Sequence, residues 1–288
     1  MKRSEAGLQS SAVVAPGALA RRMGRLAVAS LHAELALAHK PGLVTPLDSG
    51  SHADMDAGTF WRSLSALRGY FIDIAQAGAD GAGFGTLRRL GLRAEDAMLG
   101  ATDGVNTHRG AIFSLGLLTA QAAQLQAQAG APASGVQVCA ALTQWAGALL
   151  DAPLDPTSHG QRMRRQHGVP GVREQAAAGY PLLREVALPA LQRALDAGLE
   201  VEAAHAHALL SLIATVDDLN LLHRGGIEGL RFAQWQARRF LDHGSVWQDD
   251  WRAQLAAMGQ AFVGRRLSPG GSADLLACAV FLQRQATP

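Results

Sequence analysis

Apolar residues recur at three- and four-residue spacing along most of this chain, and that periodicity restricts it to helices. Ala and Leu dominate, runs of β-branched residues are scarce, and no segment reads as a strand. The first helix is predicted over 18–38, with Leu19, Met23, Leu26, Leu31 and Leu35 near one stripe, and Lys40-Pro41 ends it. Further helices are predicted over 56–77, 86–100, 110–128, 135–150, 171–178, 181–197, 200–222, 227–243, 247–263 and 272–284. A glycine-rich turn is expected at 78–85 and a proline-punctuated stretch at 151–156. No repeat at a solenoid period is present. The expected fold is therefore all-α: a disordered tail over 1–17, then a single compact multi-helix domain over 18–288, with polar loops at helix ends forming the site.

With 288 residues and 48% hydrophobic content, such a domain buries enough surface to need no disulfide or metal staple. Cys139 and Cys278 stand far apart in apolar stretches and read as buried thiols. A formal charge of +2, from 26 basic and 24 acidic residues, is too even for an electrostatic nucleic-acid binder. No run of about 18 apolar residues would span a membrane, and the N-terminus lacks a signal-peptide core, so a cytoplasmic protein is expected.

Helix middles are bland, whereas the loops and helix ends hold five dense polar blocks, which is where binding and catalysis concentrate. The first contains Glu34, Lys40, Gly42, Gly50, His52 and Asp54, suited to a phosphate, a proton or a metal ion, although Asp54 also suits an N-cap. The second, with Glu95, Asp103, Asn106, Thr107, His108 and Arg109, leads into an apolar helix whose free N–H groups favour an anion. Its glycine spacing fits neither a P-loop nor a dinucleotide fingerprint. The third, from Ser158 and His159 through Arg162, Arg164, Arg165, Arg173 and Glu174, is rich in guanidinium groups that bind phosphate bidentately. The fourth is Asp217-Asp218-Leu219-Asn220, then His223-Arg224, placed by periodicity at a helix C-terminal end, where the dipole disfavours negative charge. Adjacent aspartates on a helix point about 100° apart, so one of them should serve a site. The fifth, Leu267-Ser268-Pro269-Gly270-Gly271-Ser272-Ala273-Asp274-Leu275-Leu276-Ala277, opens the last helix with unobstructed N–H groups; Ser272 also suits a plain N-cap. His205 and His207 lie on different faces of their helix and are read as structural.

The ordered strings KPGLV, SHADM, GVNTHRGAIF, HG with VREQAAAGYP, DDLNLLHRGG and SPGGSADLLA resemble the triphosphoribosyl-dephospho-CoA synthase family from about Glu34 to Leu276, closer to its malonate decarboxylase branch than to its citrate lyase branch. Asp48 to Ser51, Ser158, Gln175, Tyr180 and Leu219 depart from that family's pattern without removing a carboxylate or arginine of the blocks. The resemblance implies transfer of the triphosphoribosyl group of ATP to the ribose 2′-hydroxyl of dephospho-CoA, with adenine leaving and inversion at the sugar. It implies ATP and 3′-dephospho-CoA as substrates, magnesium as cofactor, and a downstream transferase or acyl carrier subunit as partner. Lys40, Arg109, Arg173 and Arg224 are then expected on phosphates, with His52, His108 and His159 on adenine or phosphate. Asn106, Thr107, Asn220, Gly270, Gly271 and Ser272 complete the substrate contacts. Asp54, Asp103, Asp217 and Asp218 are expected as metal ligands or bases, with Glu34, Glu95 and Glu174 as further acidic candidates for catalysis. A helical metal-dependent hydrolase of nucleotides or ADP-ribosyl groups and a non-catalytic helical module are the competing readings.

Overall fold

The computed structural model describes residues 17–153 and 159–287, and among these no strand forms. Thirteen α-helices follow one another in the described residues. They are α1 (Ala18–Ala36), α2 (Ala57–Ala79), α3 (Phe84–Ala101), α4 (Arg109–Ala129), α5 (Gly135–Ala141), α6 (Ala146–Asp151) and α7 (His159–His167). The second half adds α8 (Val172–Ala177), α9 (Leu188–Asp196), α10 (Val201–Thr215), α11 (Leu219–Asp242), α12 (Trp251–Gly264) and α13 (Gly270–Gln285). Long stretches of α4, α10 and α13 are apolar all round, as helices buried on every side must be. Around them pack α1 and α2 on one flank and α9 and α11 on the other, giving one helical domain with a single core.

Where α2 crosses α4 the backbones almost touch. A Cβ on Gly78 would come within 2.1 Å of the Ala120 carbonyl oxygen, so this glycine belongs inside the helix and the turn shrinks to residues 80–83. Gly78→Ala is expected to destabilise the fold by about 1–3 kcal/mol through overpacking. That outweighs the gain of about 1 kcal/mol in helix propensity. A urea-unfolding midpoint equal to or above wild type would contradict the close crossing.

Three predicted helices are interrupted. The stretch 135–150 divides at a 3-10 turn, Leu142–Trp145, where the Thr143 hydroxyl donates to the Ala140 carbonyl at 2.8 Å and competes with the helical ladder. In 181–197 a π-helical turn, Leu183–Ala187, precedes Pro189, which has no N–H to give the preceding turn. The segment 200–222 breaks at 216–218, so α11 begins at Leu219 and later kinks at Gly226 (φ 60°, ψ −162°). Of the expected tail, residues 1–16 lie outside the described residues; Gly17 is the N-cap of α1 and donates its amide to Gln76 Oε1 at 2.8 Å. Cys139 and Cys278 are buried and free, and among the described residues no helix is long and apolar enough to cross a membrane.

Candidate active site

The five polar blocks converge on one cavity of about 1640 Å³. Its first wall is the loop between α1 and α2. Gly42 (φ 71°) lies so close to the turn after α12 that a Cβ would meet the Leu267 carbonyl oxygen at 2.1 Å, and the Ser51 hydroxyl donates to that same oxygen at 2.6 Å. Arg224 braces the junction, donating to the carbonyls of Ser51 (3.0 Å) and Arg266 (3.4 Å) and to His52 Nδ1 (3.0 Å). A guanidinium cannot accept, so His52 Nδ1 carries no proton, and its Nε2–H donates to Ser268 Oγ at 2.9 Å. Burial, then the nearby Arg224 charge, push the His52 pKa down to about 4, so the ring is neutral near pH 7. Asp54 stands exposed at the rim, 3.7 Å from the ring.

Deeper in, Lys40 and Glu34 form a buried ion pair. The ammonium donates to Glu34 Oε1 at 2.6 Å and to the Glu34 carbonyl at 2.7 Å, while burial pulls the lysine below its usual pKa despite that partner. Both residues face the cavity, but their mutual bonds take up much of what each offers a ligand.

At the start of α4, Asn106 Oδ1 accepts the Arg109 amide at 3.1 Å and Arg109 pairs with Glu95 at 2.9 Å. His108 is buried edge-on against Phe60 and shares a 2.7 Å hydrogen bond between Nδ1 and Ser63 Oγ. Its Nε2 and the Thr107 hydroxyl are buried without a hydrogen-bond partner among the described residues. Burial, then the Lys40 charge, push the His108 pKa to about 3. Asp103 is exposed at φ 54° in the preceding turn and is not among the residues that line the cavity.

The third block forms the basic side. Arg164 and Arg173 line the cavity together with Arg88 of α3. Arg173 donates to the carbonyls of Ala152 and Pro153; burial, then the charge of Arg88, lower its pKa. Glu174 does not reach the cavity: it caps α8 by accepting the Gly171 amide at 2.9 Å and pairs with Arg164 at 2.6 Å. The side chain of His159 and all of Ser158 lie outside the described residues.

The break between α10 and α11 corrects the expectation for the two aspartates. Asp218 is not at a helix C-terminal end but is the N-cap of α11, where the dipole favours it. Its Oδ1 accepts from the amides of Asn220 (2.9 Å) and Leu221 (3.4 Å), and its Oδ2 from the amide (2.8 Å) and hydroxyl (3.0 Å) of Ser272. One carboxylate thus fastens α11 to α13, and both oxygens are saturated. Burial, opposed by these bonds, raises its pKa. Asp217 is exposed and faces the cavity. Gly270 and Gly271 let Asn220 and Asp218 lie against the start of α13, and Ser272 points to Asp218, not to the cavity.

The expected metal set of Asp54, Asp103, Asp217 and Asp218 is therefore not assembled, and among the described residues no three His, Cys, Asp or Glu side chains are grouped to hold an ion. Two charged cavity residues were given no role by the sequence reading. Arg88 sits with Arg89 and Arg93 on α3 and reads as a solvated face. Asp274 lies in the second turn of α13, inside the fifth block, where a lone carboxylate beside Leu275 and Leu276 was the signal available. His205 and His207 are buried on α10 outside the cavity, and His207 Nδ1 shares a 2.8 Å hydrogen bond with Ser245.

The profile of the ATP:dephospho-CoA triphosphoribosyl transferase family matches residues 20–287. A protein of Acinetobacter calcoaceticus named "Probable 2-(5''-triphosphoribosyl)-3'-dephosphocoenzyme-A synthase" is 38% identical over 265 residues, 91% of this chain and 90% of its own length. Proteins of the same name from Pseudomonas syringae pv. syringae and Albidiferax ferrireducens are 42% and 40% identical, over 93% and 92% of this chain and 92% and 90% of their lengths. No solved structure matches. A family match that spans nearly every described helix, joined to relatives of this similarity along almost their whole length, makes the chain an enzyme of the ATP:dephospho-CoA triphosphoribosyl transferase family.

Proposed function

We propose that this enzyme moves the triphosphoribosyl group of ATP onto the ribose 2′-hydroxyl of 3′-dephospho-CoA in one displacement, releasing adenine, and that its product matures the acyl carrier subunit of malonate decarboxylase. The observation that carries the reading is the cavity itself. At about 1640 Å³ it exceeds the roughly 300–1,000 Å³ of a single-ligand site, which suits two nucleotides held side by side.

Its charges are divided in the way the reaction needs. Arg88, Arg164 and Arg173 make a cationic side for the triphosphate, whose oxygens match guanidinium forks. Glu34, Asp218 and Asp274 put carboxyl groups on the cavity wall, which when ionised favour the positive character that grows on the sugar as adenine departs. Aligning two bound nucleotides supplies a further large share of the rate, because the displacement becomes effectively intramolecular.

Magnesium on nucleotide phosphates needs only one or two protein carboxylates. Asp54 and Asp217, both exposed and facing the cavity, fit that limited donor set, while Asp218 has no lone pair to spare. When bound, the ion would neutralise triphosphate charge. His52, neutral and aimed by Arg224 and Ser268, lies on the same wall as Asp54 and suits hydrogen bonding to a substrate.

Purified protein given ATP, magnesium and 3′-dephospho-CoA is expected to release one adenine per dephospho-CoA consumed, read by chromatography and mass. Adenine release that ignores dephospho-CoA would support a hydrolase instead, and no adenine would end the transfer reading. In the host, loss of the gene is expected to leave the malonate decarboxylase carrier subunit lighter by its prosthetic group; an unaltered mass would reject that assignment.

A further inference from the structure

Three carboxylates line the cavity, with Glu34 and Asp218 near enough for their charges to act on Asp274, and they are not equivalent. Glu34 is bound to Lys40, and both oxygens of Asp218 are taken by four donors. Asp274 is different: no described residue donates a hydrogen bond to it or pairs with it, and it lines the cavity while largely buried. Its position is tightly set nonetheless. A Cβ on Gly110 would come within 2.0 Å of Asp274 Oδ2, so the carboxylate lies directly on the first turn of α4.

We propose that Asp274 is the base that takes the proton from the attacking hydroxyl of the acceptor nucleotide. This rests on the transfer reading above and names the residue that reading lacks. In the step, a hydroxyl lone pair forms the O–C1′ bond as the C1′–N9 bond breaks, and that bond's electron pair leaves with adenine. The hydroxyl proton passes to an Asp274 oxygen. Adenine takes a proton from water, and the hydroxide so formed is neutralised when Asp274 releases its own.

The surroundings suit a base. Burial, then the charges of Glu34 and Asp218, raise the Asp274 pKa well above the usual carboxylate range, and a carboxylate that holds a proton more tightly removes one more effectively. The other groups coupled to it, Tyr180 and Cys278, have raised pKa values of their own and stay uncharged near neutral pH. Lys40, the cation beside Glu34, is committed to that residue.

The test is Asp274→Asn in the full chain, with adenine release followed across pH alongside Tm and ATP binding by calorimetry. A base must be ionised, so wild-type kcat/KM is expected to fall as pH drops through the raised pKa. Asp274→Asn is expected to lose about 100-fold or more in kcat, and with it that acid limb. It is expected to keep ATP affinity and to hold or raise Tm, because it replaces a buried carboxyl that no described residue pairs with by a neutral amide of the same shape. Wild-type turnover in Asp274→Asn overturns the proposal. So does a loss matched by lower Tm and lost ATP binding, which marks a structural role, or wild-type activity that declines as Asp274 ionises, which marks an acid. If wild type itself releases no adenine, the transfer reading has failed before Asp274 is tested.

Discussion

Lys40→Met is expected to cost the fold about 3–5 kcal/mol, the usual penalty for removing one partner of a buried ion pair. Lys40 and Glu34 are each only 5% exposed, so the stranded carboxylate would have no bulk water to take it up. The penalty belongs to the stranded charge rather than to the worth of the pair. The double variant Glu34→Leu/Lys40→Met is therefore expected to recover most of the stability, since well-packed apolar replacements of buried pairs are often neutral or better. Urea unfolding of wild type, single and double variants measures both effects. A single variant as stable as wild type would mean that the pair is not desolvated. A stable double variant then isolates what the pair does for turnover, free of any folding defect.

The second large effect is expected at Asp218. Asp218→Ala strips the cap from α11 and leaves the buried Ser272 amide and hydroxyl without an acceptor, for a combined loss of about 3 kcal/mol. Asp218→Ser keeps a capping oxygen for α11 but is too short to reach Ser272, so its loss is expected to fall between alanine and wild type. Equal losses for serine and alanine would show that the link to α13, not the cap, carries the stability. Burial raises the Asp218 pKa, so its ionisation opposes folding: this residue's contribution is greatest below the ordinary carboxylate pKa and diminishes as pH rises through the raised one. The difference between wild type and Asp218→Ala is accordingly expected to be larger at acid pH than at neutral pH.

Helix content was legible because periodicity reports burial directly, and α1, α2, α4 and α13 begin and end within a few residues of expectation. The break at 216–218 was not, because nothing in Leu-Ile-Ala-Thr-Val-Asp-Asp-Leu interrupts a helical pattern. It exists because Asp218 finds Ser272, 54 residues further along, and a contact of that range leaves no local mark. The same reason explains the sorting of candidates inside the polar blocks. Glu174 and Ser272 carry the right chemistry and sit in the right strings, yet their partners are Gly171, Arg164 and Asp218, so they hold the walls rather than face the cavity. Arg88 and Asp274 were given no role for the opposite reason: Arg88 stands among the charges of an amphipathic helix, and Asp274, though inside the fifth block, is a lone carboxylate in a helix that burial explains.

The seam between the loop after α1 and the turn after α12 also bears on how the enzyme is made. Ser51 bonds to Leu267, 216 residues away, and Arg22 and Arg284 reach across between the first and last helices. Contacts of such span are slow to form, because most of the chain must be gathered before they stabilise anything. During synthesis the complete cavity therefore cannot close until α13, which supplies part of its wall, has left the ribosome.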